Sequence, residues 1–254
     1  MEKINKLKIL FFTQYFWPEN FRINDVALYL KKKKHEIKIL TNNPCYPEKK
    51  IFSKFYLNKE KYKKLKGIEI FRIPSINRGK NNILIMLNYI NFFFNSFIFG
   101  ISKFLNKEID FVFIFCPSPI LSALPAIILK KIVKKKVVIW VLDLWPDTLI
   151  DLQIIKNKKL IKILKYLVRF IYDNCDLILV QSESFKSEIS KVTKSKCIYF
   201  PSWAEENIGN NHSKYAKEIS LTEKRLKIIF TGNIGEAQSF ESIIKCANLL
   251  KKHN

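Results

Sequence analysis

The stretch KIIFTGNIGEAQSFESIIKCANLLKKHN, residues 227–254, predicts a strand, a loop with two glycines and a helix. The strand part is apolar, and the loop after it holds Gly232 and Gly235. In the helical part apolar residues recur at spacings of three and four, from Phe240 to Leu250. A loop of this kind presents backbone N–H groups at a helix N-terminus, where a phosphate can bind. The stretch is therefore typical of the opening unit of a nucleotide-binding lobe.

The chain before this stretch alternates apolar strand-like runs with helical patterns. Strands are predicted at residues 7–13, 36–41, 68–73, 111–115, 137–142, 177–181 and 197–200, and helices at 24–33, 120–131 and 158–172, among others. Regular alternation predicts an α/β fold with a doubly wound parallel sheet. We expect an N-terminal lobe over residues 1–203, a linker at 204–225, and the first strand and helix of a second lobe at 226–254.

The segments that follow the predicted strands carry most of the polar and aromatic chemistry of the chain. They hold most of the tryptophans and prolines, and many carboxylates and amides. Ligands of such sheets bind outside the carboxyl ends of the strands, so one edge of the sheet is the expected site. The segment after the first strand, residues 14–23, has no glycine, which excludes a G-x-G-x-x-G dinucleotide site there.

Charge and composition limit the function classes. The net charge is +23, but only five of the 45 basic residues are arginine. Arginine is the residue that proteins favour for reading base edges, so its scarcity disfavours nucleic-acid binding. The five cysteines and three histidines are scattered, which argues against a disulfide scaffold or a zinc site. A signal peptide is not predicted at the N-terminus, and the expected compartment is the cytoplasm.

Residues 83–101 form an uncharged run of 19 residues, which is long enough for a membrane-spanning helix. A polar stripe along this helix, made by Asn81, Asn88, Asn91, Asn95 and Ser102, argues against a lone helix in lipid. Three alternatives stay open: a helix packed on the sheet with its polar edge toward solvent, an interfacial helix in a membrane surface, and a spanning helix. Basic flanks would attract anionic lipid; they are Arg78, Lys80, Lys103 and Lys107. We predict peripheral membrane association through residues 82–104.

Six segments, in order along the chain, carry a resemblance to a known family: ILFFTQYFWPENFRINDVALYLKKKKHEIKILTNNPCYP, FCPSPI, VLDLWPDTL, DLILVQSESF, YFPSWAEE and FTGNIGEAQSF. They resemble bacterial glycosyltransferases of family 4, which have the GT-B fold. Within that family the resemblance is to fucosamine-transferase-like sugar transferases of lipopolysaccharide and capsule synthesis. The chain departs from the family pattern at Cys116 and Leu142, where relatives tend to have Gln.

The resemblance implies sugar transfer from a nucleotide diphosphate sugar, with retention of configuration and without a metal or other cofactor. It implies a polyprenyl-diphosphate-linked glycan as the acceptor, at the inner face of the membrane. The N-terminal lobe would hold the acceptor and the C-terminal lobe the nucleotide. The expected partners are therefore a nucleotide sugar, a lipid-linked glycan and an anionic membrane surface, and not nucleic acid.

The resemblance and the positions after the strands together give the expected site residues. They are Asp143 and Glu19 as catalytic residues; Asn20, Arg22, Asn43, Tyr46, Arg78, Ser118, Trp145 and Asp147 as substrate-binding residues; and Gly232, Asn233, Gly235, Glu236 and Gln238 as donor-binding residues. Structural alternatives stay open: Trp145 as a packing residue, Asp143 as a helix cap, Arg22 as a surface residue, and the glycine loop as a tight turn.

The sequence predicts a complete acceptor lobe and only the start of a donor lobe. We therefore expect a truncated or split glycosyltransferase that is inactive by itself, and a separate C-terminal lobe is a candidate partner. Two other classes stay open. One is a non-catalytic, membrane-associated module that binds the acceptor; the other is a basic nucleic-acid-binding protein, whose affinity would fall steeply with salt.

Overall fold

The fold is built on one eight-stranded sheet, seen in a computed structural model that describes residues 5–76, 78, 81–104, 109–204, 228–232, 234–235 and 238–251. The strands are Lys8–Thr13 (β1), Glu36–Asn42 (β2), Lys64–Leu65 (β3), Ile68–Ile73 (β4), Phe111–Cys116 (β5), Lys136–Val141 (β6), Leu177–Val180 (β7) and Cys197–Tyr199 (β8). Their order is β3-β4-β2-β1-β5-β6-β7-β8, and all neighbours are parallel except β3 and β4. The predicted α/β class with a parallel sheet is confirmed.

Helices connect the strands. The α-helices are Ile23–Lys32 (α1), Ser53–Leu57 (α2), Asn82–Phe104 (α3), Leu124–Val133 (α4), Asp147–Asp151 (α5), Lys158–Asp173 (α6), Glu183–Val192 (α7) and Phe240–Leu250 (α8). Short 3₁₀ helices occur at Lys49–Phe52, Lys59–Tyr62 and Ile120–Ala123.

Both faces of the sheet are apolar. Along β1 the side chains alternate, so that Leu10 and Phe12 belong to one core cluster and Ile9 and Phe11 to the other. The first cluster is completed by α3, α4, α6 and α7, and the second by α1. Strands buried on both faces appear in a sequence as continuous apolar runs, which is why the strands were predictable.

The order of the strands defines where a ligand would bind. From β1 the chain moves to β2 and β4 on one side, then returns to β5 beside β1 and continues outward to β8. This reversal leaves a crevice outside the carboxyl ends of β1 and β5, the usual ligand site of doubly wound sheets. The loop after β1, residues 14–22, and the loop after β5, residues 117–119, border that crevice.

The seven strands predicted for the first 200 residues are confirmed to within about a residue at each end. The single helix predicted at residues 120–131 is a 3₁₀ turn followed by α4. The short strand β3 was not among the predicted strands, and no bounds were predicted for α2, α5 and α7. The strand predicted at 227–231 is wrong for its described part, because residues 228–231 do not join the sheet. The helix that follows, α8, is confirmed, whereas residues 205–225 of the predicted linker lie outside the described residues.

Within the described part of the polar stripe, Asn88, Asn91 and Asn95 of α3 face the loop after β4, whereas Asn81 is exposed. Asn88 is fully buried, and its Nδ2 donates a hydrogen bond of 2.6 Å to the carbonyl oxygen of Ile76. Asn91 Oδ1 accepts from the Ile76 N–H at 3.4 Å. Of the three alternatives, the one with the polar edge toward solvent is wrong for Asn88, because the loop after β4 has backbone groups that need partners.

Candidate functional site

Two groups of polar side chains lie at the carboxyl ends of the strands. The first, which we call the Glu19 cluster, consists of Glu19, Asn24, Arg72 and the backbone that they bind. The second, the Asp143 cluster, consists of Ser118, Asp143, Trp145 and Thr148. The Glu19 cluster is formed by segments near β1, β2 and β4, and the Asp143 cluster by the loops after β5 and β6.

Glu19 links the loops after β1 and β2. Its side chain is only 2% exposed. Oε1 accepts hydrogen bonds from the N–H groups of Cys45 at 2.9 Å and Tyr46 at 2.8 Å, and Oε2 accepts from the Phe16 N–H at 3.3 Å. Asn24 donates to the Glu19 carbonyl oxygen at 2.7 Å. Both carboxylate oxygens are therefore engaged by the backbone.

The protonation of Glu19 reflects two opposing effects. Burial disfavours the charged form and raises the pKa from its usual 4.5 to about 7, while the three backbone N–H donors and the nearby Arg72 act in the opposite direction. The carboxyl group of Glu19 therefore has a pKa closer to neutral pH than that of an exposed glutamate.

Arg72 lies beneath these loops and was not predicted as a site residue. Its guanidinium donates to the carbonyl oxygens of Asn42 at 3.0 Å, Tyr62 at 3.4 Å and Trp17. Burial lowers the pKa of Arg72 to about 10, and Glu19 opposes that effect, so the side chain stays charged at neutral pH. The sequence signal was an arginine inside the otherwise mostly apolar strand IEIFRI.

An aromatic group continues from the Glu19 cluster toward β5. Tyr46 is partly exposed, and its ring centroid lies 5.3 Å from that of Tyr15 and 5.6 Å from that of Phe21. The guanidinium of Arg78 lies 5.0 Å from the centre of the Tyr46 ring, an arrangement that favours a cation–π interaction. The ring centroid of Phe21 also lies 6.2 Å from that of Phe115 in β5. The aromatic side chains thus border the crevice between β1 and β5.

The Asp143 cluster is more open. The Thr148 hydroxyl donates to Asp143 Oδ1 at 2.7 Å, and Trp145 Nε1 donates to the Ser118 hydroxyl oxygen at 3.1 Å. All four side chains are half-buried. Among the described residues, Asp143 Oδ2 has no hydrogen-bond partner, so this oxygen can accept a hydroxyl group of a ligand. α5 begins at Asp147 with Pro146 at its N-cap position, so Asp143 does not cap it.

The other predicted substrate-binding residues are more dispersed. Asn20 is exposed, and Arg22 pairs with Asp25 at 3.5 Å. The Asn43 carbonyl oxygen accepts from the Ser75 hydroxyl at 3.1 Å. Asp147 is exposed, and its Oδ1 lies 3.7 Å from the Nζ of Lys165.

The predicted donor loop is exposed where it is described. Gly232, Gly235 and Gln238 are all solvent-accessible, and the Gly235 N–H donates to Gln238 Oε1 at 3.0 Å. Asn233 and Glu236 lie outside the described residues. The Gly235 amide is thus already bonded within the loop.

Three buried amides at the base of the crevice were missed. Gln14 Nε2 donates to Asn88 Oδ1 at 2.7 Å, which leaves Gln14 Oε1 buried without a partner in the described structure. Both polar atoms of the Asn42 side chain are also buried and unpartnered there. For Gln14 and Asn42 the sequence signal was an amide side chain at the end of an apolar strand, β1 or β2. Buried polar groups of this kind are usually completed by water or by a ligand.

A separate cavity of about 390 Å³ lies on the helical side of the Asp143 cluster, between α6 and α7. Its lining includes Trp145, Asp147, Arg169 and Tyr172. Trp145 therefore borders this cavity as well as belonging to the Asp143 cluster. Among the described residues, no group of three or more His, Cys, Asp or Glu is placed to hold a metal ion.

Comparison with known proteins gives one curated relative. The chain is 23% identical over 261 residues to WcaI of Escherichia coli (strain K12), whose name describes a glycosyl transferase of colanic acid biosynthesis. The match covers 96% of this chain and 63% of WcaI, so the chain spans less than two thirds of its relative. No protein-family model matches the chain.

Solved structures define the fold. Sucrose-phosphate synthase from Thermosynechococcus elongatus superposes with a TM-score of 0.51 at 10% identity, over 79% of this chain and 49% of that one. The fold is of the GT-B type. UGT2 of Phytolacca americana, with a TM-score of 0.47 at 8% identity over 79% of this chain and 53% of that one, is too distant to support an argument. At such identities the likeness describes the fold alone.

Proposed function

We propose that this chain is the acceptor-binding part of a retaining glycosyltransferase. In this proposal a sugar moves from a nucleotide diphosphate sugar to a membrane lipid-linked glycan in the synthesis of a surface polysaccharide such as lipopolysaccharide or capsule. The observation that carries the proposal is the similarity to the glycosyl transferase WcaI along 96% of the chain. The crevice at the ends of β1 and β5 supports it, because polar and aromatic side chains suited to a sugar border that crevice.

Asp143 is the proposed contact to the reacting sugars. Its Oδ1 is bound by Thr148, while Oδ2 is available to accept a hydrogen bond from a sugar hydroxyl. The adjacent indole of Trp145, held by Ser118, offers an apolar plane against which a sugar ring can pack. Holding a hydroxyl in a fixed position beside the donor lowers the barrier mainly by orientation.

Glu19 has a positioning role in this proposal. Its two oxygens are bound by backbone N–H groups, and this arrangement supports a role in fixing the loops after β1 and β2 rather than direct contact with substrate. The loop that Glu19 fixes also carries Asn20 and Arg22 at the start of α1. A helix N-terminus with an arginine can stabilise the charge of a leaving diphosphate, so the proposed transfer uses these groups and does not require a metal.

The donor and the location follow from the same proposal. The loop with Gly232, Gly235 and Gln238 would contact the nucleotide diphosphate sugar. A cytoplasmic nucleotide sugar and a lipid-linked acceptor meet at the inner face of the plasma membrane, where a peripheral protein can reach both.

The test is sugar transfer by a hybrid in which this chain replaces the matched region of WcaI. The hybrid and the chain alone are incubated with labelled nucleotide diphosphate sugars and with a membrane lipid extract, and label in the lipid fraction is measured. We expect transfer by the hybrid, and a decrease of about tenfold or more for Asp143→Asn. The matched control is Asp151→Asn, an exposed aspartate of α5, which should transfer as the unmodified hybrid does.

Two results would contradict the proposal. A folded hybrid that binds the lipid-linked glycan but transfers no sugar would favour a non-catalytic binding module. If Asp143→Asn and Asp151→Asn lost sugar transfer to the same extent, the assignment of Asp143 to the site would be wrong.

A further inference from the structure

The inward face of α3 is tied to the loops of the candidate site. Asn88 binds both the Ile76 carbonyl oxygen and the Gln14 side chain, at 2.6 Å and 2.7 Å. One turn further, Asn91 binds the Ile76 N–H, and Asn95 Nδ2 lies 3.5 Å from the Pro74 carbonyl oxygen. The asparagines therefore bind backbone groups of Pro74 and Ile76, in the loop that follows β4.

The outward face of α3 is apolar. Its exposed side chains recur every three or four residues and form one line along the helix, which we call the α3 stripe; they are Ile83, Met86, Leu87, Ile90, Phe94 and Ile98. Phe94 and Ile98 are 59% and 61% exposed. From Ile83 to Ile98 the stripe is about 22 Å long, at 1.5 Å per residue. A continuous exposed apolar surface of this kind marks an interaction site.

The charges around the stripe indicate what covers it. Residues 81–102 carry no charge, and the sequence places Arg78 and Lys80 before them and Lys103 and Lys107 after them. The chain as a whole carries +23. Two copies of a chain with this charge repel each other, whereas an anionic bilayer attracts it by about 1 kcal/mol for each basic residue near the surface. An apolar stripe with basic ends therefore fits an anionic membrane better than a second copy.

The packing of α3 favours a helix that lies on the membrane over one that crosses it. By length and composition the segment Ile83–Ile101 could span a bilayer, and 22% of it is buried within the protein. However, Phe92 is fully buried, with its ring 5.6 Å from that of Phe12 in β1. A Cβ atom on Gly100 would lie 2.3 Å from Leu129 of α4, so the two helices are in close contact. Crossing the bilayer would break this packing and the bonds of Asn88.

We propose that α3 docks this protein on the surface of an anionic membrane, with the α3 stripe inserted among the lipids and the asparagine face against the sheet. Because Asn88 and Asn91 bind the backbone of Ile76, docking would fix the loop after β4 relative to the membrane. The inference rests on the peripheral location given in the proposed function and deepens it by naming the surface that binds the membrane. Its test measures vesicle binding alone, so its outcome is separate from that of the sugar-transfer assay.

The test is cosedimentation of the full chain with vesicles. Vesicles of phosphatidylcholine mixed with phosphatidylglycerol are compared with vesicles of phosphatidylcholine alone, for the wild type, Ile98→Asp and Ile163→Asp. Ile163 is a matched control, because it is an isoleucine on the surface of α6 with 56% exposure and receives the same charge. We expect Ile98→Asp to bind the anionic vesicles about tenfold or more weakly than the wild type, since it places a charge in lipid. Ile163→Asp should bind as the wild type does, and high salt or carbonate should release both.

Several results would overturn the inference. They are absence of wild-type binding to anionic vesicles, equal binding by Ile98→Asp and Ile163→Asp, and retention on vesicles in carbonate, which would indicate a spanning helix. A dimer in sedimentation velocity that Ile98→Asp dissociates, without vesicle binding, would assign the stripe to a second copy. Circular dichroism of both variants checks that each is folded.

Discussion

The two clusters at the end of the sheet differ in how their carboxylates are used. Glu19 is almost fully buried, and both of its oxygens accept backbone hydrogen bonds. Asp143 is half-buried, and the hydrogen bond described for it is from the Thr148 hydroxyl. A carboxylate whose oxygens are all occupied stabilises the loops around it, whereas one with an available oxygen can bind a ligand. The sequence placed both in the site, and the structure distinguishes what each can contact.

The strongest test of this difference is removal of the Glu19 side chain. Glu19→Ala leaves three buried N–H groups, those of Phe16, Cys45 and Tyr46, without their acceptor. We expect the free energy of unfolding to fall by about 3–5 kcal/mol, measured by urea denaturation followed by circular dichroism. Glu188→Ala removes an exposed glutamate that is paired with Lys191 on α7, and should cost less than about 1 kcal/mol. Equal losses in the two variants would show that the buried contacts of Glu19 do not stabilise the fold.

The raised pKa of Glu19 predicts that the stability of the fold depends on pH. The pKa rises from 4.5 in the unfolded chain to about 7 in the folded one, so the folded state binds more protons between these values. The stability contributed by Glu19 is therefore fully present below about pH 4.5 and is lost as the pH rises through 7.

Glu19→Gln provides the reference for that measurement. Gln cannot titrate, and it keeps an oxygen acceptor for the N–H groups of Cys45 and Tyr46. Between pH 4.5 and 8 the unfolding free energy of the wild type should fall relative to Glu19→Gln by an amount on the order of 3 kcal/mol. A constant difference across this range would mean that Glu19 is ionised throughout.

Removal of the Asp143 side chain should have a smaller effect on stability. Asp143→Ala loses the hydrogen bond from Thr148 in a half-exposed loop, so we expect a cost of about 1 kcal/mol or less in urea denaturation. If Asp143→Ala lowered the free energy of unfolding as much as Glu19→Ala does, the two carboxylates would not differ in their contribution to stability. In the WcaI hybrid the same variant should abolish most of the sugar transfer, which separates a role in binding from a role in folding.

The smallest expected effect is the coupling between Trp145 and Ser118. Trp145→Phe and Ser118→Ala each remove the hydrogen bond from the indole to the hydroxyl. In a double-mutant cycle the coupling energy should be about 0.5–1 kcal/mol. A coupling near zero would indicate that the two loops of the Asp143 cluster are held together by packing alone.

Much of the fold was predictable from local patterns. The strands are continuous apolar runs, because each is buried on both faces of a parallel sheet. No bounds were predicted for α7, because Glu183–Val192 contains few apolar residues. Its start is marked by Ser182, an N-cap residue whose hydroxyl accepts from the Phe185 N–H at 3.2 Å. The polar stripe of asparagines predicted which residues of α3 share one face of the helix. It did not predict the direction in which that face points.

The sequence by itself determined the order of strands and helices, the α/β class, and the polar and aromatic character of the segments at one end of the sheet. Only the tertiary structure decided which of these residues are buried. Glu19 meets the backbone of Cys45, 26 residues away, and Asn88 meets Gln14, 74 residues away. Local periodicity describes one element at a time, whereas burial and hydrogen bonding depend on which distant segments pack together. For that reason the role of Glu19 and the orientation of α3 became visible only in the folded chain.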